Sequence, residues 1–179
     1  MQAKRKTLSI LLALAAANLT LPAEAGDACV DFKWDVTHER ALFGGTPTAV
    51  TAGTDRKSAP IVTPDRLYAL RLPAQVHVTF AAGPGGKPAN SQAHAGLVIL
   101  KIPASGSYRI AVDMPIWIDV ASNSSLVAAE DFQGQHECSA PHKIVVFALT
   151  DKQPLVLQFS NAASENVLFT VAAAPARKL

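Results

Sequence analysis

The chain has 179 residues, 49% of them hydrophobic, with 16 basic and 14 acidic side chains and only two cysteines. A surplus of two positive charges is too small to build a phosphate-tracking surface, which argues against nucleic acid as a partner. The length suits one domain with a core of its own.

The first 25 residues read as an export signal. Lys4, Arg5 and Lys6 form a positive start, "LSILLALAAANL" is an apolar stretch too short to span a bilayer comfortably, and Ala23-Glu24-Ala25 supplies the small residues a signal peptidase reads. Cleavage after Ala25 would leave a periplasmic or secreted protein of bacterial type. It removes three basic residues and one acid, so 13 of each remain and the net charge falls to zero. No membrane span follows in what is left. An exported chain meets an oxidising compartment, and two cysteines admit a single pairing. A Cys29–Cys138 bridge would close a loop of more than a hundred residues, which the chain-entropy view credits with about 4 to 5 kcal/mol.

Residues 26–65 form the first segment of the mature chain. Asp35 is placed to cap a short helix running to Phe43, and Gly44-Gly45 ends it. Residues 44–65, rich in Thr, Pro, Gly and Ala, are expected to be irregular apart from one short edge strand at Ile61–Val62, kept at an edge by Pro60 and Pro64. From residue 66 to 174 the pattern has period two. Strands are expected at 67–72, 75–80, 96–102, 108–112, 116–120, 125–129, 144–149, 155–159 and 167–171, with a glycine-rich loop at 81–94 and a tail from 175 to 179. Strands of this length and spacing predict a single antiparallel β-sandwich, an all-β fold with one short N-terminal helix and one disulfide. "IVVFAL" (144–149) is apolar on both faces and should lie inside a sheet covered on both sides.

"GLVILKIPASGSYRIAV" carries Gly96, Leu97, Ile99, Ile102, Pro103, Ala104, Gly106, Tyr108, Ile110 and Val112. This stretch resembles the core hairpin of bacterial pre-peptidase C-terminal domains, in which a strand ends in Pro-Ala-x-Gly and the next begins Tyr-x-Val-x-Val. Tyr108, Ile110 and Val112 would share one face. The resemblance extends over about residues 66–172 and implies a jelly-roll-like sandwich with an accessory or binding role. It implies no catalytic residues, and the catalytic domain that such modules accompany has no counterpart in this sequence.

Few residues suggest chemistry. "QGQHECSAPHK" brings His136, Cys138 and His142 together. A copper centre of cupredoxin type would use a Cys, two His and an axial Met, but no methionine follows Met114. A zinc site could use His136 and His142 with Glu137 or, if the fold permits, His94. Otherwise Cys138 is a disulfide staple in a loop carrying two exposed histidines. His77 is expected on a solvated strand face, and His38 to interact within its helix with Asp35. There is no G-x-S-x-G elbow, no complete phosphate loop around "GPGGKPAN" and no EF-hand spacing. In "IWIDV", Trp117 and Asp119 share the face opposite the aliphatic residues. Either Trp117 is exposed and stacks on a ligand such as a sugar ring, with Asp119 beside it, or Trp34 or Phe32 packs over it.

These residues describe an exported, stand-alone accessory or binding module without catalytic activity or cofactor, its partner a glycan or another periplasmic protein. A periplasmic copper- or zinc-binding protein is the alternative, and an enzyme whose site is assembled across loops the second.

Overall fold

A computed structural model of the chain describes residues 32–86, 92–136, 138 and 140–175. Its first regular element is helix α1 (Thr37–Phe43), the only α-helix among the described residues. The Asp35 carboxylate accepts a hydrogen bond from the Thr37 N–H at 2.9 Å, which supplies the first turn with an acceptor; the Thr37 side chain first and this backbone bond second hold the Asp35 pKa below the usual carboxylate range. At the other end Gly44 and Gly45 donate back to the carbonyls of Arg40 and Leu42.

Eleven strands follow: β1 (Thr48–Thr51), β2 (Ile61–Val62), β3 (Leu67–Arg71), β4 (His94–Leu100), β5 (Gly106–Val112), β6 (Trp117–Ser122), β7 (Ser125–Val127), β8 (Ala129–Gly134), β9 (Lys143–Leu149), β10 (Leu155–Ala162) and β11 (Asn166–Ala173). They form a six-stranded sheet in the order β1-β3-β11-β5-β9-β8 and a five-stranded sheet in the order β2-β4-β10-β6-β7. The fold is therefore an all-β sandwich. No helix among the described residues is long and apolar enough to cross a membrane.

The core follows from the alternation of side chains along each strand. Tyr108, Ile110 and Val112 of β5, Val145, Phe147 and Leu149 of β9, and Val167, Phe169 and Val171 of β11 meet Val98, Leu100, Ile118, Val120, Leu155, Leu157 and Phe159 of the opposing sheet in one buried cluster. The intervening residues point outward, and many of them are apolar too, so both outer faces need covers. Phe32, Val36 and Cys138 pack on Ala111 and Ile144 outside the six-stranded sheet, with Trp34 and Phe43 against them. Val78, Phe80, Ala81 and Ala82 cover Leu97, Ala121 and Val156 outside the five-stranded sheet.

That second cover replaces an expected strand. Residues 75–80 form a 3-10 turn (Gln75–His77) and then an extended segment lying across the sheet, not within it. An extended cover alternates apolar and polar residues as a strand does, so its pattern is the same. Two further expectations are corrected. The segment 44–65 holds β1 as well as β2, and each pairs in parallel with its neighbour, β1 with β3 and β2 with β4; the sandwich is thus antiparallel except at these two edges. The 96–112 stretch is an arch, not a hairpin, because β4 and β5 belong to opposite sheets. The Tyr108 hydroxyl closes it by donating to the Ala104 carbonyl at 2.8 Å. Residues 1–31, including the expected signal and Cys29 of the Cys29–Cys138 bridge, lie outside the described residues, as do 87–91, Glu137, Ser139 and 176–179.

The N-terminal cover is fastened by a buried ion pair. Arg109, on the outward face of β5, donates from Nη1 to Glu39 Oε1 of α1 at 3.2 Å and to the Asp35 carbonyl at 2.7 Å. Its guanidinium also sits 5.4 Å from the Trp34 ring centroid. Both ion-pair side chains are less than 10% exposed. Removing one partner strands the other without compensation, which typically costs about 3 to 5 kcal/mol, whereas replacing both with apolar residues is far cheaper. Arg109→Met is therefore expected to lower unfolding free energy by about that amount in urea denaturation, and Glu39→Met/Arg109→Met by much less.

Candidate functional site

The chain changes sheets at a single residue on one side of the sandwich. β7 ends the five-stranded sheet at Val127, Ala128 crosses over, and β8 begins as the edge of the six-stranded sheet at Ala129. β6 and β7 join through Asn123 and Ser124, both with positive φ, as in a two-residue type I′ hairpin. β7 and β8 are the edge strands of their sheets, and no described segment lies over them here. Between them lies a cleft of about 440 Å³ whose lining is mainly apolar. Ile118, Val145 and Phe147, all nearly inaccessible, form its base, while Trp117, Leu126 and Phe132 are its exposed rim at 40%, 39% and 67% accessibility.

Trp117 is fixed on three sides. Its indole Nε1–H donates to Asp119 Oδ1 at 3.0 Å. Gly86 lies so close to one ring face that a Cβ there would fall 2.8 Å from Trp117 Cγ and 2.9 Å from Cδ2. Lys143 Nζ stands 5.2 Å from the ring centroid. Asp119 is itself held: it is 8% exposed, and its second oxygen accepts the Gly85 N–H at 3.0 Å. Gly85 and Gly86 of the 81–94 loop therefore serve close approach to Trp117 and Asp119. Neither Trp34 nor Phe32 covers Trp117, correcting that expectation; both belong to the cover of the other sheet.

Lys143 begins β9, where its stem joins the cleft wall. Its ammonium donates to the Ile116 carbonyl at 2.9 Å. Burial pushes its pKa below the ordinary lysine value, and the nearby Asp119 carboxylate opposes this only in part.

The histidines do not converge. His136 and His142 are neighbours, with ring centroids 6.0 Å apart, and His142 Nδ1 lies 3.2 Å from the Cys138 carbonyl. His94 instead opens β4 of the five-stranded sheet opposite Ala162. No group of three His, Cys, Asp or Glu side chains able to hold a metal occurs among the described residues; Glu137 lies outside them. His38 bonds to Asp65 at 2.8 Å, not to Asp35 in its own helix. His77 is exposed, on the turn that replaces its expected strand. Asp113 accepts the Leu168 N–H at 2.9 Å, and burial raises its pKa above the usual carboxylate range.

Sequence reasoning reached Trp117 and Asp119 but missed Lys143, Leu126, Phe132 and the Gly85-Gly86 pair. The one local signal was a lysine set directly against the most apolar strand. Compared with known proteins, the chain matches no family model, no curated protein and no solved structure.

The lowered Lys143 pKa has a measurable sign. Below its folded pKa, the group is protonated in both folded and unfolded states, and the folded state bears the full cost of the desolvated charge. As pH rises through the folded pKa toward the unfolded value of 10.5, the folded state loses its proton first and that cost disappears. The stability of the protein relative to a Lys143→Met variant is thus expected to rise over this interval, measured by denaturant unfolding at a series of pH values.

Proposed function

We propose that the protein is an exported binding module, a jelly-roll-like sandwich whose ligand lies in the cleft between β6–β7 and β8–β9. The observation that carries this reading is the exposed Trp117 ring, held by Gly86, Asp119 and Lys143 at the rim of an apolar cleft. An aromatic ring fixed before a ligand arrives loses little entropy on binding. A concave, mainly apolar site of several hundred Å³ with a few converging polar groups suits a small molecule. The reading favours binding over catalysis because the one carboxylate of the cleft, Asp119, is buried and holds the indole and the Gly85 amide, and Lys143 is the only other charged side chain lining it.

The resemblance of residues 96–112 to pre-peptidase C-terminal domains, one of sequence alone, supports an accessory role, and the positive start, short apolar run and Ala-x-Ala site of residues 1–25 support export to the periplasm. A Cys29–Cys138 bridge belongs to the same proposal. Its support is the position of Cys138, 2% exposed and packed with Phe32 and Val36, only three and seven residues beyond Cys29 in the chain.

Two measurements test this reading. An apolar fluorescent probe is expected to bind with near-unit stoichiometry. Gly86→Val, which forces the loop off the indole, should weaken binding at least about tenfold, corresponding to 1.4 kcal/mol; unchanged binding would place the probe elsewhere. Thiol titration of the denatured, exported protein should find none before reduction and two after it, and a free thiol in the unreduced protein would refute the bridge.

A further inference from the structure

The charge pattern of the cleft narrows the class of ligand, given the binding reading above. Of the side chains lining it, only Asp119 and Lys143 are charged. Both Asp119 oxygens already accept hydrogen bonds, from the Trp117 indole and from the Gly85 amide. Each oxygen keeps a further lone pair, but the side chain is only 8% exposed, so little of the carboxylate is open to a cationic ligand. Lys143 is in the opposite condition. An ammonium carries three donors, and Lys143 uses one, on the Ile116 carbonyl. Among the described residues it has no carboxylate within salt-bridge distance and no other hydrogen-bond acceptor. A half-buried cation with donors to spare beside an apolar wall is incomplete by itself, because removing charge from water is costly unless an opposite charge replaces the lost hydration.

We propose that the cleft takes a small anionic amphiphile, with its hydrocarbon or aryl part against Val145, Phe147 and the Trp117 edge and its oxyanion accepting hydrogen bonds from Lys143 Nζ. The apolar base supplies affinity through area removed from water, and the charge-assisted bond at the rim supplies orientation and selects the head group. A carboxylate on a free chain and the phosphoryl group of a lipid share this chemistry.

The test is a calorimetric titration of the purified protein with decanoate, decanol and decylamine below micelle formation, beside sedimentation with vesicles of phosphatidylglycerol or of phosphatidylcholine. Decanoate is expected to bind at least about tenfold more tightly than decanol, as a charge-assisted hydrogen bond implies, with decylamine weakest. Lys143→Met should reduce decanoate to the level of decanol while leaving decanol unchanged, which also shows that the variant is folded; Lys143→Arg should retain the preference. The preference should shrink as pH rises toward 10.5 and the ammonium is lost. Lys143-dependent sedimentation with phosphatidylglycerol vesicles alone would assign the oxyanion to a lipid head group, and Lys143-dependent decanoate binding without sedimentation to a free chain; both support the proposal. Equal affinity for decanoate and decanol overturns the anionic assignment and leaves the binding cleft standing. Failure of all three chains and both vesicles to bind overturns both. So does a dimer that excludes them and that Phe132→Ser converts to a monomer, since a second copy would then be the occupant.

Discussion

A strand that is apolar on both faces must be covered on both, and the rest of this structure follows from that constraint. In β9 the sequence Ile144-Val145-Val146-Phe147 alternates between the inter-sheet core and the outer face, and all four residues are buried. β4 and β10 behave alike, with Leu97 and Val156 outside and Val98, Leu155 and Leu157 inside. A sandwich core satisfies only the inner set. The outer set requires the N-terminal segment over one sheet and residues 78–82 over the other.

Each cover is fastened by polar groups that emerge among the apolar ones. On the six-stranded sheet Arg109 holds the helix through Glu39 and the Asp35 carbonyl, with Trp34 over its guanidinium, while Lys33 pairs with Asp131 of β8. The buried pair contributes orientation more than stability, because desolvation offsets much of its attraction; Glu39 Oε2, buried without a partner, adds to that cost. On the five-stranded sheet Gln158 is 1% exposed and meets the backbone of Ala82 with both ends of its amide, Nε2 to the carbonyl at 3.0 Å and Oε1 from the N–H at 3.4 Å. Asp119 does the same work for Gly85. A backbone stretch laid across a sheet lacks ladder partners, so side-chain amides and carboxylates supply them.

The cleft lies where covering stops. The change of sheet at Ala128 places two edge strands side by side with no segment over the gap among the described residues, and the second cover ends its described course at Gly86, against Trp117. The tryptophan thus lies at the end of the cover's described course and on the exposed rim of the cleft. The same low-polarity surroundings that lower the Lys143 pKa would strengthen its bond to an anion, since a charge deprived of water gains more from a partner than a hydrated one does.

The sequence by itself determined what depends on near neighbours. Period two gave eight of the eleven strands at least approximately and the proline-flanked Ile61–Val62 a ninth, Gly44-Gly45 and Asp35 bounded the helix, and the double-sided apolarity of residues 144–149 placed that strand inside a covered sheet. The strands it did not reveal, β1 and β8, are edges; with one neighbour and a solvated face they need little hydrophobic pattern, and β8 has Phe132 as its single large apolar residue. Only the tertiary structure decided which extended segments join a ladder and which lie across one, because residues 75–80 carry the same alternation either way. It also decided that β4 and β5 face each other across the core, that His94 stands apart from His136 and His142, and that Trp117, Phe132 and Lys143, from three separate strands, border one cleft. Pairing partners and clefts are set by contacts between residues far apart in the chain, and local periodicity carries no record of those distances.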